Sequence, residues 1–187
     1  MTMVVLGLCG SLRRGSYNRR LLAAAAAELP RGVSLEELEG LADIPPYNHD
    51  DEDGATPEAV KALRDAITAA DAVLIATPEY NASVPGQLKN ALDWASRPFP
   101  DNALRDKPVA VVGASTGLFG AVWAQAELRK VLKTIGAHVV EGELPVGRAH
   151  DAFADDGGLD DPNLRSALAA LVEQLLGEVR TRIDQPA

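Results

Sequence analysis

The sequence predicts an α/β protein in which helices cover both faces of a parallel sheet. Short apolar runs suit strands that are buried on both faces. Strand-like and helix-like segments alternate five times along the chain, which is the pattern of such a sheet. The 187 residues suffice for one hydrophobic core, so we expect residues 1–187 to form a single domain.

The amino-terminal part of the chain predicts one strand and one helix. Residues 3–9 are an apolar run that ends in a glycine-serine pair, as expected for a buried strand. Residues 16–29 are rich in alanine and leucine, which favours a helix. Pro30 and Gly32 are expected to end that helix.

The next segment predicts an edge strand, a loop and a second helix. Residues 33–38 alternate apolar and polar, which suits a strand near a sheet edge, and residues 39–55 form a loop with an acidic run from Asp50 to Asp53. Thr56 is the predicted N-cap of the second helix, and Pro57 is its predicted first residue. The inner face of this helix is predicted to consist of Val60, Leu63, Ile67 and Ala70.

Two further buried strands are predicted at residues 72–78 and 108–115, with a helix at about 86–95 between them. Another helix precedes Gly136, its predicted C-cap, with an apolar face formed by Leu128, Val131, Leu132 and Ile135.

The carboxyl-terminal part predicts the last strand and the last helix. Residues 138–144 are the expected last strand, and residues 151–161 are an expected surface loop. The final helix is predicted to start at Asp161-Pro162. Its inner face is formed by Leu164, Leu168, Leu171, Leu175 and Val179.

The charge of the chain excludes several classes of function. A net charge of -9 argues against binding to nucleic acid or to an anionic membrane. No signal peptide or apolar span is apparent, and the lone Cys9 cannot form an internal disulfide, so a cytoplasmic location is expected. Cys9 is interpreted as a core residue, and the three histidines have no metal-ligand spacing.

The positive charge near the amino terminus suggests an anion site. Residues 1–27 carry a charge of +4 and the remainder -13. The four cations are Arg13, Arg14, Arg19 and Arg20. In a parallel α/β sheet, ligands bind beyond the carboxyl ends of the strands, where three loops are expected: 10–18, 78–86 and 115–120.

The first of these loops, GSLRRGSYN, favours a phosphate ligand. It contains neither the G-x-G-x-x-G nor the Walker A pattern. It does offer hydroxyl, amide and guanidinium groups directly before a helix N-terminus, where anions are stabilised. These groups belong to Ser11, Arg13, Ser16 and Asn18. The alternative is that Ser16 only caps the helix.

The second and third loops are compatible with a flat ligand. Pro78, Pro85 and Gly86 stiffen the second loop, and Tyr80 could lie against a heterocycle or simply on the surface. The third loop, GASTGLFG, lets the backbone approach a planar ligand closely, or it is an ordinary turn.

Together the three loops resemble the NADPH-dependent FMN reductase family, which includes bacterial quinone, chromate and azo-dye reductases. GSLRRGSYNRRL is similar to the family pattern G-S-x-R-x-x-S-x-N-x-x-L, and PEYNASVPGQLKNALDWASR follows the family signature closely. GASTGLFGAVWAQAELRKVL keeps the glycines and the Ala-Gln pair. The similarity spans about residues 4–145. The chain departs from many members at Ala121 and Trp123, where those have Gly and Arg, and Trp123 is expected to pack at an interface.

The resemblance implies a flavodoxin-like fold with five strands in the order 2-1-3-4-5. It implies FMN as cofactor and NADPH or NADH as electron donor, with hydride transfer through flavin N5 and no catalytic side chain. The acceptors would be quinones, azo compounds, chromate or flavin, and the protein would be a homodimer or homotetramer. Ser11, Arg13, Ser16 and Asn18 would surround the phosphate. The ring would be lined by Pro78, Glu79, Tyr80, Asn81, Ser115, Thr116 and Gly117.

Two other functions are compatible with the sequence. A flavodoxin-type electron carrier would bind FMN without reacting with NAD(P)H on its own. In such carriers the corresponding loop is a Thr/Ser-rich T-G-x-T turn, which the first loop of this chain does not resemble. A regulatory domain of the same fold would bind no flavin at all.

Overall fold

The computed structural model describes residues 2–52 and 54–184 and contains six strands: β1 (Met3–Cys9), β2 (Val33–Glu37), β3 (Ala72–Thr77), β4 (Pro108–Ala114), β5 (His138–Val139) and β6 (Pro145–Val146). All paired strands are parallel. The sheet has the order β2-β1-β3-β4-β5, and β6 also pairs with β4. This order confirms the predicted flavodoxin-like topology.

Five helices cover the sheet: α1 (Tyr17–Ala27), α2 (Glu58–Ala69), α3 (Gly86–Ala95), α4 (Val122–Ile135) and α5 (Pro162–Asp184). Helices α1 and α5 pack on one face, and α2, α3 and α4 pack on the other. The strands divide between these two cores by simple alternation: in β3, Leu74 faces the first core, whereas Val73 and Ile75 face the second. No helix in the described ranges has the length and apolar content needed to cross a membrane.

The predicted helices are confirmed, with small shifts at their ends. Helix α3 has the predicted bounds, and Gly136 is the left-handed C-cap of α4 at φ 100°. Helix α1 ends at Ala27, two residues earlier than predicted. Thr56 is not the N-cap of α2, because Pro57 occupies that position with an extended backbone and its carbonyl accepts from Val60 N–H at 2.9 Å. Asp53 of the predicted acidic run lies outside the described residues.

The prediction of one continuous last strand over residues 138–144 is wrong. From Val109 to Gly113, β4 advances four residues while the paired chain advances six, from Val139 to Pro145. The two extra residues interrupt the hydrogen bonding to β4 near Gly142, whose φ of 132° is unfavourable for residues other than glycine. The strand position is therefore filled by two short pieces, β5 and β6.

The loop between β2 and α2 is fixed by polar side chains of α3. Gln87 donates to two carbonyl oxygens of this loop, at 2.7 and 2.9 Å. Asn90 both accepts and donates there, at 2.7 and 2.9 Å, and the Trp94 indole donates at 2.9 Å. Because α3 also follows the second candidate loop, it connects that loop rigidly to the segment 41–47.

Candidate functional site

A cavity lies where the carboxyl ends of β1, β3 and β4 meet, which we call the carboxyl edge of the sheet. The space inside it, including the part that opens to solvent, is about 460 Å³. It is lined by Ser11, Arg13, Ser16, Tyr17, Asn18, Pro78, Glu79, Tyr80, Ala114, Ser115 and Thr116. All predicted site residues except Asn81 and Gly117 therefore lie around one cavity. Tyr17 and Ala114 were not predicted, although Tyr17 lies between two predicted residues.

The amino-terminal end of α1 provides hydrogen-bond donors at one end of this cavity. Ser16 is the N-cap, and its Oγ accepts from the Arg19 N–H at 3.3 Å, so the predicted capping role is present. The N–H groups of Tyr17 and Asn18 have no acceptor among residues 2–52 and 54–184. Unpaired N–H groups and the partial positive charge of a helix N-terminus favour an anion.

Arg13 supplies the positive charge that lines the cavity. Arg19 instead forms an ion pair with Glu37 at 2.6 Å, at the end of β2. Arg20 lies over the ring of Phe153, with its guanidinium carbon 4.6 Å from the ring centroid. Three of the four clustered arginines thus lie in different environments, and the fourth, Arg14, is exposed.

Asn18 joins the first loop to the third. Its side chain is buried, and its amide oxygen accepts from Ala114 N–H at 2.9 Å. The amide nitrogen donates to the Ala114 carbonyl oxygen, also at 2.9 Å. Asn18 therefore fixes the end of β4 relative to α1, which sets the width of the cavity.

A tight turn borders the other end of the cavity. The backbone groups of Tyr80 and Ser83 bond to each other in both directions at 3.2 Å. The two residues between them, Asn81 and Ala82, have φ values of 53° and 59°. These values are typical of a type I′ turn, which reverses the chain sharply. Tyr80 borders the cavity and is half exposed, whereas Asn81 lies at the tip of the turn, outside the lining.

Two carboxylates attach this turn to α4. Glu79 Oε2 accepts from the Ala124 N–H at 3.0 Å, in the first turn of the helix. Glu127 accepts from the Ser83 hydroxyl at 2.6 Å and from the Val84 N–H at 3.3 Å. The hydrogen bond from Ser83 lowers the pKa of Glu127 below its ordinary value. Glu79 thus lines the cavity as predicted, and one of its carboxylate oxygens is also engaged by the helix.

The third loop packs closely against the chain around β6. A Cβ on Gly120 would lie 2.3 Å from the carbonyl carbon of Pro145, so this glycine is required by contact with the neighbouring strand. The Gly117 N–H donates to Ser115 Oγ at 3.1 Å, and Gly117 itself lies outside the cavity lining. Ser115 and Thr116 face the cavity.

The cavity suits a ligand with an anionic group at one end and a flat polar ring at the other. Hydroxyl, guanidinium and backbone N–H groups lie at the α1 end, and proline, tyrosine and small residues lie at the turn end. Among the described residues that line it there is no histidine or cysteine. The predicted core residue Cys9 is indeed buried beneath the first loop. This arrangement can bind and orient a redox cofactor.

The topology and the cavity define a flavodoxin-like domain, because the ligand cavity follows β1 of a 2-1-3-4-5 sheet. The chain belongs to the NADPH-dependent FMN reductase family, whose sequence model matches residues 3–151. It is 44% identical over 172 residues to an NAD(P)H-dependent FMN reductase from Pseudomonas aeruginosa, covering 91% of this chain and 92% of that protein. It is 41% identical to a quinone reductase from Pseudomonas putida, covering 91% of each.

A solved structure with a similar fold is FerB, a flavoenzyme NAD(P)H:(acceptor) oxidoreductase from Paracoccus denitrificans. Its TM-score is 0.83 at 35% sequence identity, and the alignment covers 96% of this chain and 98% of FerB. The likeness thus extends beyond residue 151 into the carboxyl-terminal helix.

Proposed function

We propose that this protein is an FMN-dependent NAD(P)H oxidoreductase that reduces small acceptors. The observation that carries the proposal is the pairing of two features in one cavity. Unpaired N–H groups and Arg13 at the start of α1 suit a phosphate, and the loop from Pro78 to Tyr80 suits a flat ring. Membership of the FMN reductase family supports FMN as the cofactor.

The proposed roles of the site residues follow from their positions. Ser11, Arg13 and Ser16 bind the phosphate, since they lie at the α1 end of the cavity. Asn18 contributes there with the amide hydrogen that Ala114 does not use. The ring is flanked by Pro78, Glu79 and Tyr80 on one side and by Ser115 and Thr116 on the other. Asn81 and Gly117, which the family resemblance also implies, adjoin these residues in the chain but lie outside the lining.

When bound, FMN would supply the redox chemistry, which is transfer of a hydride from NAD(P)H to the acceptor. The protein holds the ring in a fixed orientation. The turn at Tyr80–Ser83 and its attachment to Glu127 make that side of the cavity rigid. Rigid positioning of two reactants lowers the entropic part of the barrier.

Quinones are the proposed main acceptors, with azo compounds, chromate and free flavin as further candidates. The quinone reductase from Pseudomonas putida supports this choice, at 41% identity. The half-exposed Tyr80 at the mouth of the cavity offers an aromatic face to a planar acceptor.

The test is anaerobic titration of the FMN-loaded protein with NADPH or NADH, followed by a quinone. We expect the flavin absorbance to bleach with the nucleotide alone and to return when the quinone is added. A flavin that stays oxidised would identify an electron carrier instead. A purified protein that is colourless and takes up no FMN would exclude both functions and favour a regulatory domain.

We further propose one domain over residues 1–187, a homodimer or homotetramer as the assembly, and a cytoplasmic location. Exposed apolar side chains support the oligomer: Leu118, Phe119 and Trp123 are 64%, 59% and 50% exposed. Phe119 and Trp123 contact each other edge to face, with ring centroids 5.1 Å apart. Apolar groups that lie together on a surface typically mark an interface.

A further inference from the structure

We infer that Arg148 binds a phosphate group of NAD(P)H at the rim of the cavity. The inference rests on the proposed function, because it assigns a contact for the electron donor. Arg148 is far from the predicted phosphate loop in the sequence. It reaches the carboxyl edge of the sheet because β6 runs beside β4 and ends opposite its last residue, so that the chain after β6 passes the end of β4.

The backbone of Arg148 is fixed to the third loop. Beyond β6 the pairing continues: the Arg148 N–H donates to the Gly117 carbonyl oxygen at 2.9 Å, and the Ala149 N–H donates to the Ser115 carbonyl oxygen at 3.0 Å. Ser115 lines the cavity, and Ala149 is fully buried. These bonds hold Arg148 beside the part of the rim that lies across the cavity from the first loop.

The local conformation is constrained further by close packing. A Cβ on Gly147 would lie 2.2 Å from the Leu118 carbonyl oxygen, so only glycine fits between this segment and the third loop. Arg148 itself has a φ of 47°, in the left-handed region that disfavours residues other than glycine. An unfavourable conformation that the surroundings impose is a reason to look for a function at that residue.

The side chain of Arg148 is exposed and has no competing partner. Within residues 2–52 and 54–184 it makes neither an ion pair nor a hydrogen bond. The carboxylate of Asp151, three residues away, pairs with His150 at 3.0 Å. An exposed guanidinium, on a segment whose backbone is bonded to the third loop, is therefore available for an anion.

The dinucleotide is the anion that this position fits. With FMN phosphate at the α1 end and the ring between the second and third loops, the nicotinamide must approach from the open side. Its pyrophosphate and, in NADPH, its 2′-phosphate then lie outside the cavity, near the rim. Because the chain has a net charge of -9, a local cation is needed to attract such a polyanion. Arginine can bind a phosphate through two parallel hydrogen bonds.

The experiment compares the FMN-loaded wild type with Arg148→Ala, Arg148→Lys and the control Arg31→Ala. Arg31 is exposed in the turn before β2, at the opposite edge of the sheet. Anaerobic stopped-flow reduction gives the nucleotide concentration for half-saturation and the limiting rate. For Arg148→Ala we expect the half-saturating concentration to rise about 10- to 100-fold at low salt, as for loss of a charged hydrogen bond. The limiting rate should stay unchanged, and Arg148→Lys should recover part of the affinity.

The two possible phosphates give different results. If Arg148→Ala raises the half-saturating concentration of both NADPH and NADH, Arg148 contacts the pyrophosphate. If it raises that of NADPH alone, Arg148 contacts the 2′-phosphate. Calorimetry with 2′,5′-ADP and with ADP-ribose reports the same affinities without hydride transfer. If Arg148→Ala has the same half-saturating concentrations as the wild type for both nucleotides, the assignment of Arg148 is wrong, but the proposed function still stands. A wild-type flavin that neither nucleotide reduces would overturn the proposed function and the assignment with it.

Discussion

At the scale of single residues, polar side chains around the cavity also hold the fold together. The amide of Asn18 satisfies both backbone groups of Ala114, and Ser16 caps α1. Arg13, by contrast, lines the cavity without forming a hydrogen bond or ion pair within residues 2–52 and 54–184. Substitutions at Asn18 and Arg13 should therefore separate stability from cofactor binding.

Replacing Asn18 by Ala should destabilise the protein even without FMN. Two buried backbone groups of Ala114 would lose their partners, and each such loss costs about 1–3 kcal/mol. We expect the free energy of unfolding in urea to fall by about 2–6 kcal/mol. Arg13→Ala is the matched comparison and should leave the apoprotein unchanged. Equal stability of Asn18→Ala and the wild type would show that the two bonds contribute nothing.

Replacing Arg13 by Ala should weaken FMN binding in a salt-dependent way. A charged contact to phosphate is lost, so the dissociation constant should rise about 10-fold or more at low salt. The effect should shrink between about 0.01 M salt, where the Debye length is about 30 Å, and about 1 M, where it is about 3 Å. Flavin fluorescence titration measures the affinity, with Arg31→Ala as control. An affinity that matches the wild type at every salt concentration would remove Arg13 from the site.

At the scale of elements, α3 organises the loop between β2 and α2. Beyond Gln87, Asn90 and Trp94, the first residues after the helix extend the same contacts. Arg97 Nε donates to Glu52 at 2.7 Å, and the Tyr47 hydroxyl also donates to Glu52. His49 lies 3.2 Å from the same carboxylate. The carboxylate of Glu52 thus links the loop between β2 and α2 to the residues that follow α3.

The stability of the loop should depend on the charge of Glu52. The Tyr47 hydroxyl, followed by His49 and Arg97, lowers the pKa of Glu52 from 4.5 to about 2. Because the folded-state pKa is the lower one, the stabilisation is complete above about pH 4.5. It is lost as the pH falls through about 2.

Urea unfolding of the wild type and Glu52→Gln across this pH range tests the point. The difference in free energy of unfolding should be constant at neutral pH and should shrink between about pH 4.5 and 2. Glu28→Gln, which removes an exposed carboxylate at the end of α1, is the control. A difference that does not change with pH would mean that Glu52 is protonated equally in both states.

The elements show what the sequence could predict. Helix α3 agrees with the predicted range of about 86–95, because proline and glycine mark its start and its apolar spacing is local. The order of the sheet came from the resemblance to a known family. The break in the last strand could not be predicted from the local pattern, because the stretch is held partly by a distant element: the Leu144 N–H donates to the amide oxygen of Gln125 in α4 at 3.3 Å.

The same limit applies to the site. The predicted residues lie around one cavity because they follow strands whose carboxyl ends meet. The bond from Asn18 to Ala114 joins residues 96 positions apart, and the position of Arg148 depends on the pairing of β6 with β4. No local pattern contains such tertiary hydrogen bonds.

At the scale of the whole molecule, the exposed pair Phe119 and Trp123 lies next to elements that bound the cavity. Trp123 is adjacent to Ala124, whose N–H binds Glu79 of the cavity lining. Phe119 follows Ser115 and Thr116 of the lining in the third loop, and its ring contacts that of Trp123. In an oligomer formed through this surface, a second subunit would lie beside the flavin.

Replacing Trp123 by Asp should dissociate the proposed oligomer. A carboxylate in an apolar interface is left without a partner, which disfavours association. Sedimentation velocity should show a smaller species than the wild type, and FMN content with circular dichroism serves as the control for folding. A wild type that sediments as a monomer at micromolar concentration would contradict the oligomer itself. A variant that sediments like an oligomeric wild type would place the interface elsewhere.

The broken fifth strand has a consequence for how copies of this protein can meet. An unbroken edge strand presents a row of free N–H and C=O groups, which can recruit a strand from another molecule. Here that border of the sheet consists of two pieces of two residues each, and Pro145 lacks an N–H. Neither piece is long enough to template a foreign strand. Contacts between molecules at this border must therefore be made by side chains. This protects the protein from edge-to-edge strand pairing and aggregation at this border.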